Sequence, residues 1–116
     1  MDTVNDKSYY IYILRCTDNS LYTGITTDVK RRFEEHISGR YQGAKYTRSR
    51  KPVSIEALWQ CCTRSDASKL ECALKKLTKA QKEKLICENE FFENLFSDKL
   101  DISLYTFLEN KRGEIV

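Results

Sequence analysis

Five side chains in this chain of 116 residues are of types that act on phosphate esters: Tyr12, Tyr22, Arg32, His36 and Glu71. Hydrolysis of a phosphodiester calls for a metal that activates water or stabilises the leaving oxygen. Hard divalent cations prefer carboxylate oxygens, and one or two carboxylates suffice. The reaction also needs a cation aimed at the non-bridging oxygens, which the arginine fork matches in geometry, and a proton acceptor beside the water. Glu71 is the carboxylate, Arg32 the fork, and Tyr12, Tyr22 and His36 the candidate proton acceptors. Each also has an ordinary reading: strand aromatics, a snorkelling arginine, an edge histidine, and for Glu71 an i,i+4 ion pair with Lys75. Types and order name a chemistry; the elements that carry them decide whether the five meet.

Tyr9–Arg15 and Leu21–Ile25 are rich in aromatic and β-branched residues and read as strands, joined by the turn-prone Cys16-Thr17-Asp18-Asn19-Ser20. A two-residue turn over Asp18-Asn19 would set Tyr22 opposite Arg15, and Tyr12 and Tyr22 would then face opposite sides. A shared face requires a loop of odd length or a bulge, and one is expected. Thr27 reads as the N-cap of a helix with Asp28 in its first turn. Its buried stripe is Val29, Phe33 and Ile37, with Arg32 and His36 one turn apart along one edge and Arg31 turned to solvent. Between Gly39 and Pro52 lies a basic loop holding Arg40, Lys45, Arg48, Arg50 and Lys51 interleaved with Tyr41 and Tyr46. Bases among aromatics suit phosphate contact and base stacking.

Val53–Cys62 reads as a third strand, with Val53, Ile55, Ala57 and Trp59 alternating against polar neighbours. Ser65 or Asp66 is expected to cap a second helix with the apolar stripe Ala67, Leu70, Leu74 and Leu77, and Glu71 at its edge. Thr78-Lys79-Ala80-Gln81 is a capping box and opens a third helix that is expected to run into Glu88–Phe92. Ser103 is expected to cap a last helix bearing Leu104, Phe107 and Leu108. The expected fold is α+β: a small three-stranded antiparallel sheet flanked by helices, with a C-terminal helical extension. The expected division is 9–87 for the domain and 88–116 for an acidic extension packed on it.

Composition narrows the partners. No apolar run approaches the roughly 20 residues of a bilayer span, so no membrane is expected. The polar first eight residues lack a signal-peptide core, which points to the cytoplasm. Five cysteines, with no C-x-x-C pair and one histidine, read as free thiols rather than zinc ligands. Residues 1–87 carry 17 Lys and Arg against 10 Asp and Glu, whereas residues 88–116 carry 3 against 7. A basic body with an acidic tail suggests a polyanion partner, which the tail either leaves open or masks.

The five residues and their order resemble the GIY-YIG nuclease superfamily, above all its small stand-alone members, the YhbQ-like uncharacterised branch. Tyr12 matches the tyrosine of the first motif, whose glycine is Tyr10 here. Tyr22, Thr23 and Gly24 match the second motif. Arg32 matches the helix arginine, His36 a histidine one turn later, and Glu71 the metal-binding glutamate. The Leu74–Leu85 segment looks like the stand-alone branch, and the likeness spans about residues 9–87. Ile25 stands where excision-repair relatives carry a lysine near the site.

The resemblance implies a metal-dependent DNA endonuclease. Glu71 would bind one Mg²⁺ or Mn²⁺, Arg32 would contact the scissile phosphate, and Tyr12, assisted by His36, would act as general base. Tyr22 would orient water or phosphate. The implied partner is DNA, branched or nicked, and the excision-repair members extend the expectation to DNA repair. The replacements at Tyr10 and Ile25 keep a second reading open: a non-catalytic nucleic-acid-binding module on the same fold.

Overall fold

The structure is a computed structural model that describes residues 8–38 and 51–108. Two strands open it, β1 (Tyr9–Cys16) and β2 (Leu21–Thr26). In the turn between them the Asn19 amide donates to the Cys16 carbonyl at 2.9 Å, and the Cys16 amide donates to Ser20 at 2.9 Å. Asn19 holds a φ of 70°, a left-handed conformation that asparagine tolerates better than other side-chain-bearing residues. A loop closed this way has three residues, an odd number. Leu14 therefore faces Tyr22, and Tyr12 faces Gly24. Paired residues point the same way, so Tyr12, Leu14 and Tyr22 share one face of the sheet.

Helix α1 (Val29–Ser38) follows. Its N-cap is Asp28 rather than Thr27: the Asp28 carboxylate accepts from the Arg31 amide at 3.1 Å, while Thr26 Oγ1 accepts from the Asp28 amide at 3.0 Å. Phe33 is buried and Val29 half-buried, but Ile37 is 41% exposed, so the expected stripe ends a turn early. His36 takes the buried place instead.

Strand β3 (Pro52–Cys61) pairs antiparallel with β1. Ile13 faces Ala57 but Leu14 faces Ile55, so Glu56 is the extra residue of a bulge. The bulge breaks the expected alternation. Ile55 joins Tyr12, Leu14, Phe33 and Leu58 on the α1 side, while Ala57, Trp59 and Cys61 join Ile11 and Ile13 on the other.

That other side is covered by α2 (Arg64–Lys75), α3 (Lys79–Cys87) and α4 (Phe91–Phe96). Thr63, not Ser65 or Asp66, caps α2, accepting from the Asp66 amide at 3.0 Å. Thr78 and Gln81 form the expected capping box of α3. Helix α3 stops at Cys87, because Glu88 leaves helical backbone at φ −129°, ψ 92°, and α4 begins separately. Phe92, Phe96 and Tyr105 enter the same core as Trp59. The last expected helix is replaced by a short 3-10 turn (Ile102–Leu104), capped by Asp101, and by a strand, β4 (Thr106–Phe107). The β3 edge offers open backbone groups, and pairing of β4 with Trp59 and Gln60 satisfies them. The sheet thus has four strands rather than three, in the order β2-β1-β3-β4, every neighbour antiparallel. The class is α+β, with helices on both faces. No helix among the described residues is long and apolar enough to cross a membrane.

Candidate active site

Tyr12 lies near the middle of the central strand, only 3% exposed, with its phenol crossing the neighbouring strand over Gly24. A Cβ added to Gly24 would sit 2.6 Å from Tyr12 Cζ, closer than real Cβ contacts, so the glycine makes room for the ring. The Tyr12 hydroxyl reaches Nε2 of His36 at 3.1 Å. Tyr22, two positions before Gly24 on β2, closes the group: its ring centroid lies 5.3 Å from that of His36, edge to face, and 6.4 Å from that of Tyr12.

His36 is 1% exposed. Burial, and secondarily the Arg32 guanidinium, push its pKa down to about 4, with Glu35 pulling weakly the other way. At neutral pH the imidazole is therefore uncharged. In the tautomer that carries its proton on Nδ1, Nε2 accepts the hydrogen bond of the Tyr12 hydroxyl.

Arg32 sits one helical turn before His36. Its Nε donates to Glu35 Oε1 at 3.2 Å and its Nη1 to the Ile25 carbonyl at 3.4 Å. The guanidinium is thereby aimed from two directions, by its own helix and by the end of β2. In the sequence, the signal for Glu35 is its i,i+3 spacing from Arg32. Arg31 is exposed, as expected, and leans toward Asp28 at 3.9 Å.

Glu71 comes from a different helix. It follows the fully buried Leu70 on α2, which packs against β2 and β1 from the face opposite α1. Among the described residues its partner is Lys75, whose Nζ lies 3.2 Å from Oε2, and its side chain is 25% exposed. The structure gathers Tyr12, Tyr22 and His36, with Arg32 one helical turn before His36. No group of three His, Cys, Asp or Glu comes together among the described residues. A lone, partly solvated carboxylate suits a hydrated Mg²⁺ or Mn²⁺ that completes its shell from water and substrate phosphate; it does not suit a zinc cage.

Of the basic loop, Arg40, Lys45, Tyr46, Arg48 and Arg50 lie outside the described residues. Lys51 is exposed, and its carbonyl accepts from the Thr17 amide at 2.9 Å, which ties the start of β3 to the hairpin turn.

A sequence profile described as the GIY-YIG catalytic domain matches residues 8–84. The chain belongs to the GIY-YIG family. Its relatives are the small UPF0213 proteins: one from Cupriavidus necator is 53% identical over 66% of this chain and 82% of its own length. One from Fusobacterium nucleatum is 47% identical over 73% and 83%. UPF0213 protein YhbQ of Salmonella arizonae is 46% identical over 77% and 87%. The solution NMR structure of a UPF0213 protein from Bacillus halodurans, 40% identical, matches 80% of this chain and 98% of its own with a TM-score of 0.46.

Within the GIY-YIG frame the two motif departures acquire a place. Tyr10, where the first motif has glycine, is half-buried beside Tyr12 and packs on the same cluster as Val29 and Leu108. Ile25 turns its side chain to the opposite core and leaves only its carbonyl to Arg32.

Proposed function

We propose that the chain is a cytoplasmic, metal-dependent DNA endonuclease that hydrolyses phosphodiester bonds, with residues 9–87 as its nuclease domain and 88–116 as an extension packed on it. The observation that carries this reading is the 3.1 Å contact between the Tyr12 hydroxyl and a buried, uncharged His36, with the Arg32 guanidinium one turn away. A free phenol, with a pKa near 10, is a poor base at neutral pH. A phenol that can hand its proton to a neutral imidazole as it takes one from water is a competent one.

In this reading water loses its proton to the Tyr12 oxygen while the Tyr12 proton passes to His36 Nε2. The imidazolium so formed is unfavourable in its buried setting and gives its extra proton up by way of solvent to the departing 3′ oxygen, which leaves Tyr12 a phenol and His36 neutral again. Arg32, held by Glu35 and the Ile25 carbonyl, binds non-bridging oxygens of the scissile phosphate. Tyr22 orients water or phosphate beside them. Glu71 would hold one Mg²⁺ or Mn²⁺, which supplies stabilisation of the charge developing on the leaving oxygen. The products carry 5′-phosphate and 3′-hydroxyl ends. Branched or nicked DNA, as met in DNA repair, is the substrate we favour, with Arg40, Lys45, Tyr46, Arg48, Arg50 and Lys51 as its phosphate and stacking contacts.

One observation favours a second reading, a nucleic-acid-binding module without turnover: the Glu71 carboxylate is engaged by the Lys75 ammonium at 3.2 Å. Nicking of supercoiled and branched DNA in Mg²⁺ or Mn²⁺ separates the two. The nuclease reading expects metal-dependent nicking by the wild type that Glu71→Ala abolishes. Salt-sensitive binding without nicking would leave only the second reading, and nicking that survives Glu71→Ala would remove the metal from that residue.

A further inference from the structure

A groove of about 770 Å³ opens between α2 and the segment around the end of α4. Its floor is aliphatic. Ala73 and Leu77 come from the end of α2 and the turn after it, Leu95 from α4 and Leu100 from just beyond, and all four are half-buried. Its rim is basic: Lys69, Lys76 and Lys99 line it, all exposed and none in an ion pair among the described residues. No carboxylate is among the described residues that line it. The Phe96 carbonyl accepts from the Lys99 amide at 2.9 Å and from the Leu100 amide at 2.8 Å, and this tight turn after α4 holds both residues at the groove. Leu95, Lys99 and Leu100 lie beyond residue 84, where the match to the GIY-YIG catalytic domain ends, so one wall of the groove is contributed from outside that domain.

Half-buried leucines ringed by ammonium groups suit a ligand that is apolar on one face and anionic along its edges. A nucleic-acid strand would supply phosphates but leave the aliphatic floor without an apolar partner. Stacking needs an open aromatic face, and the aromatic ring in the groove, Phe96, is 2% exposed. Lys69, Ala73 and Lys76 recur at i, i+4 and i+7 along one stripe of α2, whereas Glu71 projects from another flank, so an occupant here leaves the candidate active site open. Residues 109–116 carry two acidic and two basic side chains and are a poor counterpart for three lysines. We propose that the groove docks an amphipathic helix of a partner protein. Its apolar stripe lies on Leu77, Leu95 and Leu100, and its Asp or Glu side chains meet Lys69, Lys76 and Lys99. Docking of this kind does not depend on turnover at Tyr12 and His36.

A synthetic probe tests it. A fluorescein-labelled helical peptide with Leu at i, i+3, i+4 and i+7 and Glu at the flanking positions would be titrated into the full-length protein by anisotropy. Its controls are the same peptide with Lys for Glu, and one with its leucines moved off the stripe. The Glu peptide alone is expected to bind saturably. The charge-reversed variant Lys76→Glu/Lys99→Glu should bind it at least about tenfold more weakly and take up the Lys peptide instead. Leu95→Gln should weaken it as well, with thermal unfolding showing both variants folded. Cys72 lines the groove and is exposed, while Cys62 and Cys87 are exposed outside it. Bound Glu peptide should therefore slow alkylation of Cys72 by iodoacetamide and leave the other two unchanged, read by mass spectrometry. DNA binding and nicking should be the same in the charge-reversed variant as in wild type. No saturable binding of the Glu peptide, or binding that the charge reversal leaves unchanged, would overturn the proposal without touching the nuclease reading. DNA affinity that falls with the charge reversal while the peptide fails to bind would assign the lysines to nucleic acid instead. A dimer in sedimentation that the charge-reversed variant loses, again without peptide binding, would assign the groove to a second copy of the chain.

Discussion

The two faces of the sheet solve different problems with the same strands. The face under α2, α3 and α4 is an apolar and aromatic core: Trp59 stacks on Phe92 at 5.5 Å, Phe92 meets Phe96 edge to face, and Leu70, Leu74 and Leu85 fill the space between. Its principal ion-pair group lies at its rim, where Arg15 binds Glu83 through both terminal nitrogens and Glu83 also takes Lys79. The face under α1 is smaller and buries polar groups: a phenol, an imidazole and, half-buried beside them, a guanidinium. Burying such groups is unfavourable unless they satisfy one another. The larger face therefore carries the stability that offsets the buried polar groups of the smaller one, and variants on the two faces should separate stability from activity.

The largest effect is expected on the supporting face. Trp59→Ala should destabilise by about 3–5 kcal/mol, a large part of the whole stability of a domain this size. Urea titration would read it, and loss of activity should track loss of fold. On the site face Gly24→Ala should cost about 1–3 kcal/mol, because the new methyl must displace the Tyr12 ring. Here nicking should fall further than stability explains, since the hydroxyl leaves His36. Equal losses in the two measurements would mean that the ring's position does not matter to the reaction.

Much of this arrangement can be read from residue types alone. The alternating strand residues, the turn cluster and the Thr78–Gln81 capping box are local signals, and local physics fulfils them. The requirement for an odd loop followed from asking how two tyrosines could share a face, and Asn19 meets it through its left-handed backbone. What could not be read depends on partners distant in sequence. The Glu56 bulge arises in the pairing of β3 with β1, a partner distant in sequence. Thr106–Phe107 becomes a strand because an open β3 edge lies beside it; by composition alone it suits a helix as well. Ile37 lies on the expected stripe, yet it is His36 that α1 buries, because the Tyr12 hydroxyl waits there. The engagement of Glu71 by Lys75 is legible as i,i+4 spacing.

Acid should tell the faces apart more gently. His36 has a folded pKa of about 4, below the ordinary 6.5, so its contribution is fully present above pH 6.5 and is lost as pH falls toward 4. The full window corresponds to about 3 kcal/mol. Glu83, whose pKa its Arg15 and Lys79 partners hold at about 2, contributes above 4.5 and loses that only as pH falls from 4.5 toward 2. Urea midpoints across pH should thus decline in two stages. His36→Asn should flatten the first and leave the second; a first stage that persists in His36→Asn would place the titrating group elsewhere.

The most direct measurement is Tyr12→Phe, assayed for nicking, for DNA binding and for thermal stability in the same preparation. The ring that fills the space over Gly24 is retained and only the hydroxyl on His36 is removed. The expected result is nicking reduced by about 10²–10⁴-fold, with DNA binding kept and stability lowered by about 1 kcal/mol. Nicking at the wild-type rate in a folded Tyr12→Phe protein would contradict the assignment of Tyr12 as the base.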